Sequence, residues 1–289
     1  LGRHQGKVMQ PEGKMRRTKP NIVEPGLASP LDAAVTTRDR GTLAMVEQAL
    51  SRGDVKLAFQ PVVQSDSGRP AFYEGLIRLI DDTGRVIPAR DFMGAVEDKD
   101  IGRQIDCASL QLGLRALRTN PSLRLSINMS ARSVGYPPWM NMLKKFTRQH
   151  PDVVQRLILE ITESSVMMMP ELVAIFMEDL QDKGVTFALD DFGAGYTAFR
   201  HLKTFCFDIL KIDGQFSRGI DQDPDNQVLM EALLSLGRHF DMLVVAESVE
   251  TAAESAWLRQ MGVDCQQGYY FAVPAIKPPW KADPVAQRA

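Results

Sequence analysis

The sequence contains no apolar run of the roughly 18 residues needed to cross a bilayer, so no membrane span is expected in this chain. Its first residues lack the apolar core of a signal peptide. Cysteine is scarce: Cys107, Cys206 and Cys265 are too few and too scattered for a disulfide framework or a zinc site. A reducing, cytoplasmic setting is therefore expected, either for this chain or for the cytoplasmic part of a longer protein. There is no excess of one charge either, since the formal net charge is −2, and nothing global points to duplex nucleic acid. What remains is an ordinary composition over 289 residues, 44% hydrophobic and 24% charged, enough for one large core or two modest ones.

Residues 1–40 show neither a helical nor a strand period. They carry Arg3, Lys7, Lys14, Arg16, Arg17 and Lys19 among the breakers Pro11, Pro20, Pro25 and Pro30. They read as a basic, proline-containing linker or tail, and residues 281–289 as a C-terminal tail. Between them, residues 41–280 are regular. A helix is expected from Gly41 through Leu50, then strands at Val55–Val63 and Ala71–Ile80, joined by a turn at Ser65–Arg69 so short that the pair must be antiparallel. Six further strands follow: Leu123–Ser130, Arg156–Thr162, Val185–Phe192, Asp208–Asp213, Leu243–Val249 and Cys265–Phe271. Amphipathic helical stretches separate them, such as Arg103–Leu117, Leu172–Gln181 and Asn226–Phe240. Alternation of this kind implies parallel strands with right-handed crossovers. Eight strands in such a length suit a closed (β/α)8 barrel, of the TIM type, with its first strand antiparallel. An open doubly wound sheet would normally carry a glycine-rich phosphate loop after its first strand, and PVVQSDSGRP is not one.

In a barrel, reactive groups belong at the C-terminal ends of the parallel strands. Polar residues fall there strand after strand: Glu74 and Arg78, Asn128, Glu160, the adjacent Asp190 and Asp191, Lys211, Glu247 and Gln267. A single such charge could be a structural ion pair, but seven strands delivering polar groups to one end is hard to explain that way. Glu74, Asn128, Glu160, Asp190 and Asp191 are all oxygen ligands, while His4, His150, His201 and His239 sit away from strand ends. The set favours Mg²⁺ or Mn²⁺ over zinc, and its number of carboxylates favours two ions sharing one of them, as in phosphoryl displacement. Asp190 should point inward and bridge, while Asp191, its neighbour on a strand, comes round only if the chain bends near Gly193. Lys211 could orient or deprotonate a water, or offset the negative charge. Arg78 suits a phosphate oxygen, or else pairs with Asp81 or Asp82.

The segments FQPVV, EGLIR, SINMS, LEITES, ALDDFGAGY, DILKID, VVAESVE and QGYYF, in this order from about Gly41 to Pro274, resemble those of the EAL-domain cyclic di-GMP phosphodiesterases. The resemblance implies a (β/α)8 barrel whose first strand runs antiparallel, and hydrolysis of cyclic di-GMP to linear pGpG by two Mg²⁺ or Mn²⁺ ions. It implies that Glu74, Asn128, Glu160 and Asp190 hold the first ion, and that Asp190, Asp191 and Glu247 hold the second. It further gives Lys211 as the catalytic lysine, Glu163 as the acid steadying the Asp191–Tyr196 loop, and Glu250 as a carboxylate behind the ligands. Gln60, Leu76, Arg78 and Gln267 would be the substrate contacts. A homodimer is expected, as is an N-terminal sensor domain outside this chain. Departures from the family pattern are Gly75 for alanine, Ser248 for glycine, and Ala194, Thr197 and Ala198 in the loop; none removes a ligand position. The alternative within this resemblance is a receptor that binds cyclic di-GMP with little turnover. Apart from it stands an enolase-like barrel using Lys211 for proton abstraction, which would need neither a second ion nor Arg78.

Overall fold

The computed structural model describes Gly2, residues 30–195, 202–203, 205–278 and 280. It divides into two compact units, Leu1–Arg40 and Gly41–Ala289. Helix α1 spans Pro30–Arg52. It thus begins inside the stretch read as a tail: proline is tolerated in the first helical turn, and none follows before Arg52. The expected tail at 281–289, and all of 1–29 except Gly2, lie outside the described residues.

Among the described residues nine strands and eight further α-helices follow. They are β1 (Val55–Gln64), β2 (Pro70–Ile80), β3 (Val86–Pro88), α2 (Met93–Val96), α3 (Asp100–Thr119), β4 (Leu125–Asn128), α4 (Pro137–Gln149), α5 (Pro151–Val154), β5 (Leu157–Thr162), α6 (Glu163–Met168), α7 (Pro170–Gln181), β6 (Thr186–Phe192), β7 (Ile209–Ile212), α8 (Pro224–His239), β8 (Leu243–Ala246), α9 (Ala252–Gln260) and β9 (Cys265–Gln266). The sheet order is β1-β9-β8-β7-β6-β5-β4-β2-β3, and β1 also pairs with β2, which closes the barrel. Strand β1 runs antiparallel to both neighbours, whereas β2, β4 and their successors through β9 are parallel.

Two differences from the expected strands bear on the site. Strand β3, which no pattern in its three residues announces, folds back antiparallel on the end of β2, with Pro88 opposite Arg78. The last strand stops after Gln266 instead of running to Phe271. Its chain turns away beside Val249, so closely that a Cβ on Gly268 would lie 2.0 Å from the Val249 carbonyl oxygen.

Period-two alternation builds the barrel interior in layers. Val62, Phe72, Ile158, Ala188, Ile209, Val245 and Cys265 form a separate apolar cluster that plugs the barrel. Two residues further along each of five parallel strands stand Glu74, Glu160, Asp190, Lys211 and Glu247. Strand β1 runs the other way, so its Gln60 precedes Val62 yet reaches the same level. The outward-facing partners, among them Leu159, Phe187, Leu210 and Val244, pack under the helices in the main core. The polar layer thus rests on an apolar floor at the C-terminal mouth.

Candidate active site

Lys211 sits at the centre, 1% exposed along its side chain. Its Nζ lies 2.7 Å from Glu247 Oε1, 2.8 Å from Asp190 Oδ1, 2.9 Å from Glu160 Oε2 and 3.6 Å from Glu74 Oε2. Burial alone would favour the neutral amine, but Asp190, Glu160, Glu247 and Glu74 outweigh it and raise the pKa well above the usual lysine value. The carboxylates by themselves therefore hold Lys211 as an ammonium, and cations bound to them would weaken that hold.

The carboxylates respond unequally. Burial opposes ionisation of Glu74, yet Lys211 and hydrogen bonds from Gln267 and Asn128 bring its pKa below the usual value. Those bonds are Asn128 Nδ2 to Glu74 Oε1 at 2.7 Å and Gln267 Nε2 to Glu74 Oε2 at 2.6 Å. Gln267 Nε2 also reaches Gln60 Oε1 at 3.1 Å, and Gln60 Nε2 donates to the Ala272 carbonyl. Glu160 is raised well above the carboxylate range, by burial first and then by Glu74 and Asp190 against the pull of Lys211. Glu247 is pushed up to about 8, again by burial ahead of Asp190. Asp191 is pushed up to about 6, by burial of its carboxyl and by Asp190, although the residue as a whole is exposed.

Strand alternation should send Asp191 away from Asp190. Instead its φ is +54°, and the β6–β7 register shifts between Leu189 and Phe192. The bend therefore begins at Asp191 itself, ahead of Gly193 (φ +92°). It leaves one oxygen each of Asp190, Asp191 and Glu247 within 4.8 Å of one another, a grouping able to hold a metal ion. The same device follows Glu247: Ser248, standing where glycine is usual in the motif, has φ +56°, a region that suits glycine better than serine.

Two buried carboxylate oxygens, Glu160 Oε1 and Asp190 Oδ1, accept no hydrogen bond among the described residues; the 2.8 Å approach of Lys211 to the latter is off the hydrogen-bond direction. Five carboxyl groups facing one ammonium leave an excess of negative charge that is costly unless cations meet it, and the raised pKa values of Glu160 and Glu247 express that cost. The donor set therefore fits hard divalent ions.

The remaining expected residues are spread around this cluster. Gly193 N–H donates to Glu163 Oε2 at 3.2 Å, and Gln215 Nε2 donates to the Gly193 carbonyl. Tyr196, Thr197 and Ala198 of that loop lie outside the described residues. Glu250 stands exposed at the cavity rim, 3.8 Å from Arg218. Gln60, Leu76, Arg78 and Gln267 line a cavity of about 460 Å³ beside Glu74 and Glu247. Arg78 forms no ion pair with Asp81 or Asp82; its Nη1 donates to the Ile77 carbonyl, while Asp81 caps its own turn through Thr83 and Arg85. A second cavity, of about 490 Å³, opens on the other side of Glu74 and Leu76, toward Asn128 and Asp190. Sequence reasoning missed three of the lining residues, Arg90, Asp106 and Tyr269, because none ends a strand. Ser126 was missed as well, although it lies two residues before Asn128 on the same face; its hydroxyl donates to the Tyr73 carbonyl at 3.5 Å, and its proximity works against the rise in the Glu160 pKa.

Fold and site together define a (β/α)8 barrel with a reversed first strand and a mouth built to receive cations. The chain belongs to the EAL domain family, whose pattern matches residues 43–274. It is 29% identical over 234 residues to the bifunctional diguanylate cyclase/cyclic di-GMP phosphodiesterase MucR of Pseudomonas aeruginosa, covering 79% of this chain and 34% of that protein. It is 28% identical over 239 residues to the probable cyclic di-GMP phosphodiesterase PdeG of Escherichia coli, covering 80% of this chain and 46% of that protein. Among solved structures, a MucR phosphodiesterase in complex with c-di-GMP superimposes with a TM-score of 0.71 at 28% identity, covering 81% of this chain and 97% of that one. The FimX EAL domain of Pseudomonas aeruginosa bound to c-di-GMP gives a TM-score of 0.74 at 25% identity, covering 81% and 96%. The chain spans about a third of the length of the first of these curated relatives.

Proposed function

We propose that this barrel is a metal-dependent phosphodiesterase that hydrolyses cyclic di-GMP to linear pGpG. The observation that carries the reading is the polar layer itself: five carboxyl groups about one buried ammonium that pairs with four of them, with Glu160 Oε1 accepting no hydrogen bond among the described residues, at the mouth of a cavity lined by Arg78. Glu74, Asn128, Glu160 and Asp190 would hold one Mg²⁺ or Mn²⁺, and Asp190, Asp191 and Glu247 the other. Bound there, the ions would polarise the phosphodiester and make a water nucleophilic at neutral pH. Asn128 has its amide nitrogen engaged with Glu74, which leaves its carbonyl oxygen for a cation. Gln267 fixes the second oxygen of Glu74 and relays to Gln60. Lys211 offsets the carboxylates and orients or deprotonates the attacking water; Arg78 in the cavity, which an enolase-like reaction would not need, favours the phosphodiesterase reading over it. Glu163 ties down Gly193, and with it the turn that carries Asp191. Glu250 acts from the rim, while Gln60, Leu76, Arg78 and Gln267 take the nucleotide. A homodimer, a cytoplasmic location and an N-terminal sensor domain complete the proposal; they rest on the family and on the greater length of its members.

The test is product formation. Purified protein with Mg²⁺ or Mn²⁺ should convert cyclic di-GMP to pGpG and lose this on chelation, and Glu160→Ala should abolish it. Lys211→Ala should lower kcat by about 10²- to 10⁴-fold with a smaller change in KM. Tight binding with no pGpG under any metal condition would replace the enzyme by a receptor.

A further inference from the structure

The element that the sequence pattern did not announce brings a second arginine to the mouth. Because Pro88 pairs with Arg78 across β2 and β3, the turn Ala89–Asp91 that follows returns the chain beside Arg78. Arg90 then lines both cavities, as do Glu74, Leu76 and Ala89. Its Nη1 donates to Tyr269 Oη at 3.5 Å. Its nearest carboxylate is that of its own neighbour Asp91, at 3.7 Å, and both side chains are exposed, at 74% and 45%. Among the described residues Arg78 has no ion pair, and its pKa is lowered by burial and then by the charge of Arg90. Two guanidiniums that feel one another across a cavity, with no strong carboxylate partner, are relieved by an anion between them.

The shape of the mouth says which anion. The two cavities adjoin, sharing Glu74, Leu76, Ala89 and Arg90 in their walls, and together offer room for a ligand with two halves. In a cyclic dinucleotide the two phosphodiesters form the waist between the two nucleosides. With a nucleoside in each cavity, that waist would lie at the wall they share. One phosphodiester would then face the carboxylates and Lys211, and the other Arg78 and Arg90.

We propose that Arg90 binds the phosphodiester that is not cleaved and is a specificity-determining residue, selecting ligands with a second phosphate; this rests on the reading of the barrel as a cyclic di-GMP site. Arg90 is exposed and makes one long hydrogen bond, so its replacement leaves the fold intact.

The experiment compares wild type, Arg90→Ala, Arg90→Lys and Arg90→Glu on cyclic di-GMP and on bis(p-nitrophenyl) phosphate, which has a single phosphodiester. Arg90→Ala should raise KM and Kd for cyclic di-GMP about ten-fold, the scale of one charge-assisted hydrogen bond, with kcat changed less than about two-fold. Arg90→Glu should be worse and Arg90→Lys intermediate, and all should treat the single diester as wild type does. Unchanged KM and Kd in Arg90→Glu, or an equal loss on the single diester, overturns the proposal. If wild type binds cyclic di-GMP without turnover, the phosphodiesterase reading fails while the Kd series still decides the role of Arg90. If wild type does not bind it, both fall.

Discussion

Single buried positions set the pH response of this barrel, and Asp106 shows the effect away from the carboxylate cluster. It lies on the inner face of α3, buried, accepting from Ser130 N–H at 2.9 Å and Ser133 Oγ at 2.6 Å. Burial pushes its pKa up to about 6 despite those two bonds. The folded pKa exceeds the unfolded one, so the contribution to stability is complete below about pH 4 and is lost as pH rises through 6, by at most roughly 3 kcal/mol. With its amide oxygen in the place of Oδ2, asparagine keeps the acceptor for both Ser130 and Ser133 and does not ionise. The melting temperature of Asp106→Asn relative to wild type should therefore rise between pH 4 and pH 7. A flat difference would mean that Asp106 ionises as freely folded as unfolded. At the same scale, the left-handed residues Asp191 and Ser248 were not legible: each follows an inward carboxylate, but nothing in LDDF or AESV marks a positive φ.

At the scale of elements, a departure in the motif EGLIR has a packing cause. Ile127, on the outer face of β4, fills the space between β2 and α3. A Cβ on Gly75 would meet its Cδ1 at 2.8 Å, and a Cβ on Gly113 would meet its Cγ1 at 2.7 Å. Glycine at 75 and at 113 therefore makes room for one isoleucine. Gly113→Ala should gain about 1 kcal/mol of helix propensity but lose more to overpacking, roughly 1–3 kcal/mol. Adding Ile127→Val, whose shorter side chain lacks Cδ1 and can rotate away, should recover most of the loss in urea melts. Additive losses in the double variant would refute the coupling. The missed strand β3 also belongs to this scale. Three residues ending in Pro88 show no alternation, and only the turn Asp81–Arg85, closed by hydrogen bonds from Thr83 and Arg85 to Asp81, brings them back onto β2.

For the whole molecule, the polar layer couples cation binding to folding, because its proposed ligands come from five strands that only the closed barrel assembles. A divalent ion that binds the folded state should stabilise it by about 2.7 kcal/mol at a hundred times its Kd, a rise of several degrees in melting temperature. Mg²⁺ or Mn²⁺ should produce that rise in wild type and much less in Asp190→Ala. An equal rise in both would place the ions elsewhere. No helix among the described residues is long and apolar enough to cross a membrane.

Much of this was legible in the amino-acid sequence alone. Runs of β-prone residues marked the strands, the short turn at Ser65–Arg69 made β1 antiparallel to β2, and polar residues at the C-terminal ends of successive strands marked the layer at the mouth. These are local facts, settled by β propensity and by turn length. Only the tertiary structure closed β1 onto β9, put the Lys211 ammonium within 3.6 Å of four carboxylates from four other strands, and carried Arg90 beside Arg78. Those contacts join residues far apart in the chain. Their protonation states follow from mutual burial and Coulomb interaction, and neither exists until the barrel closes.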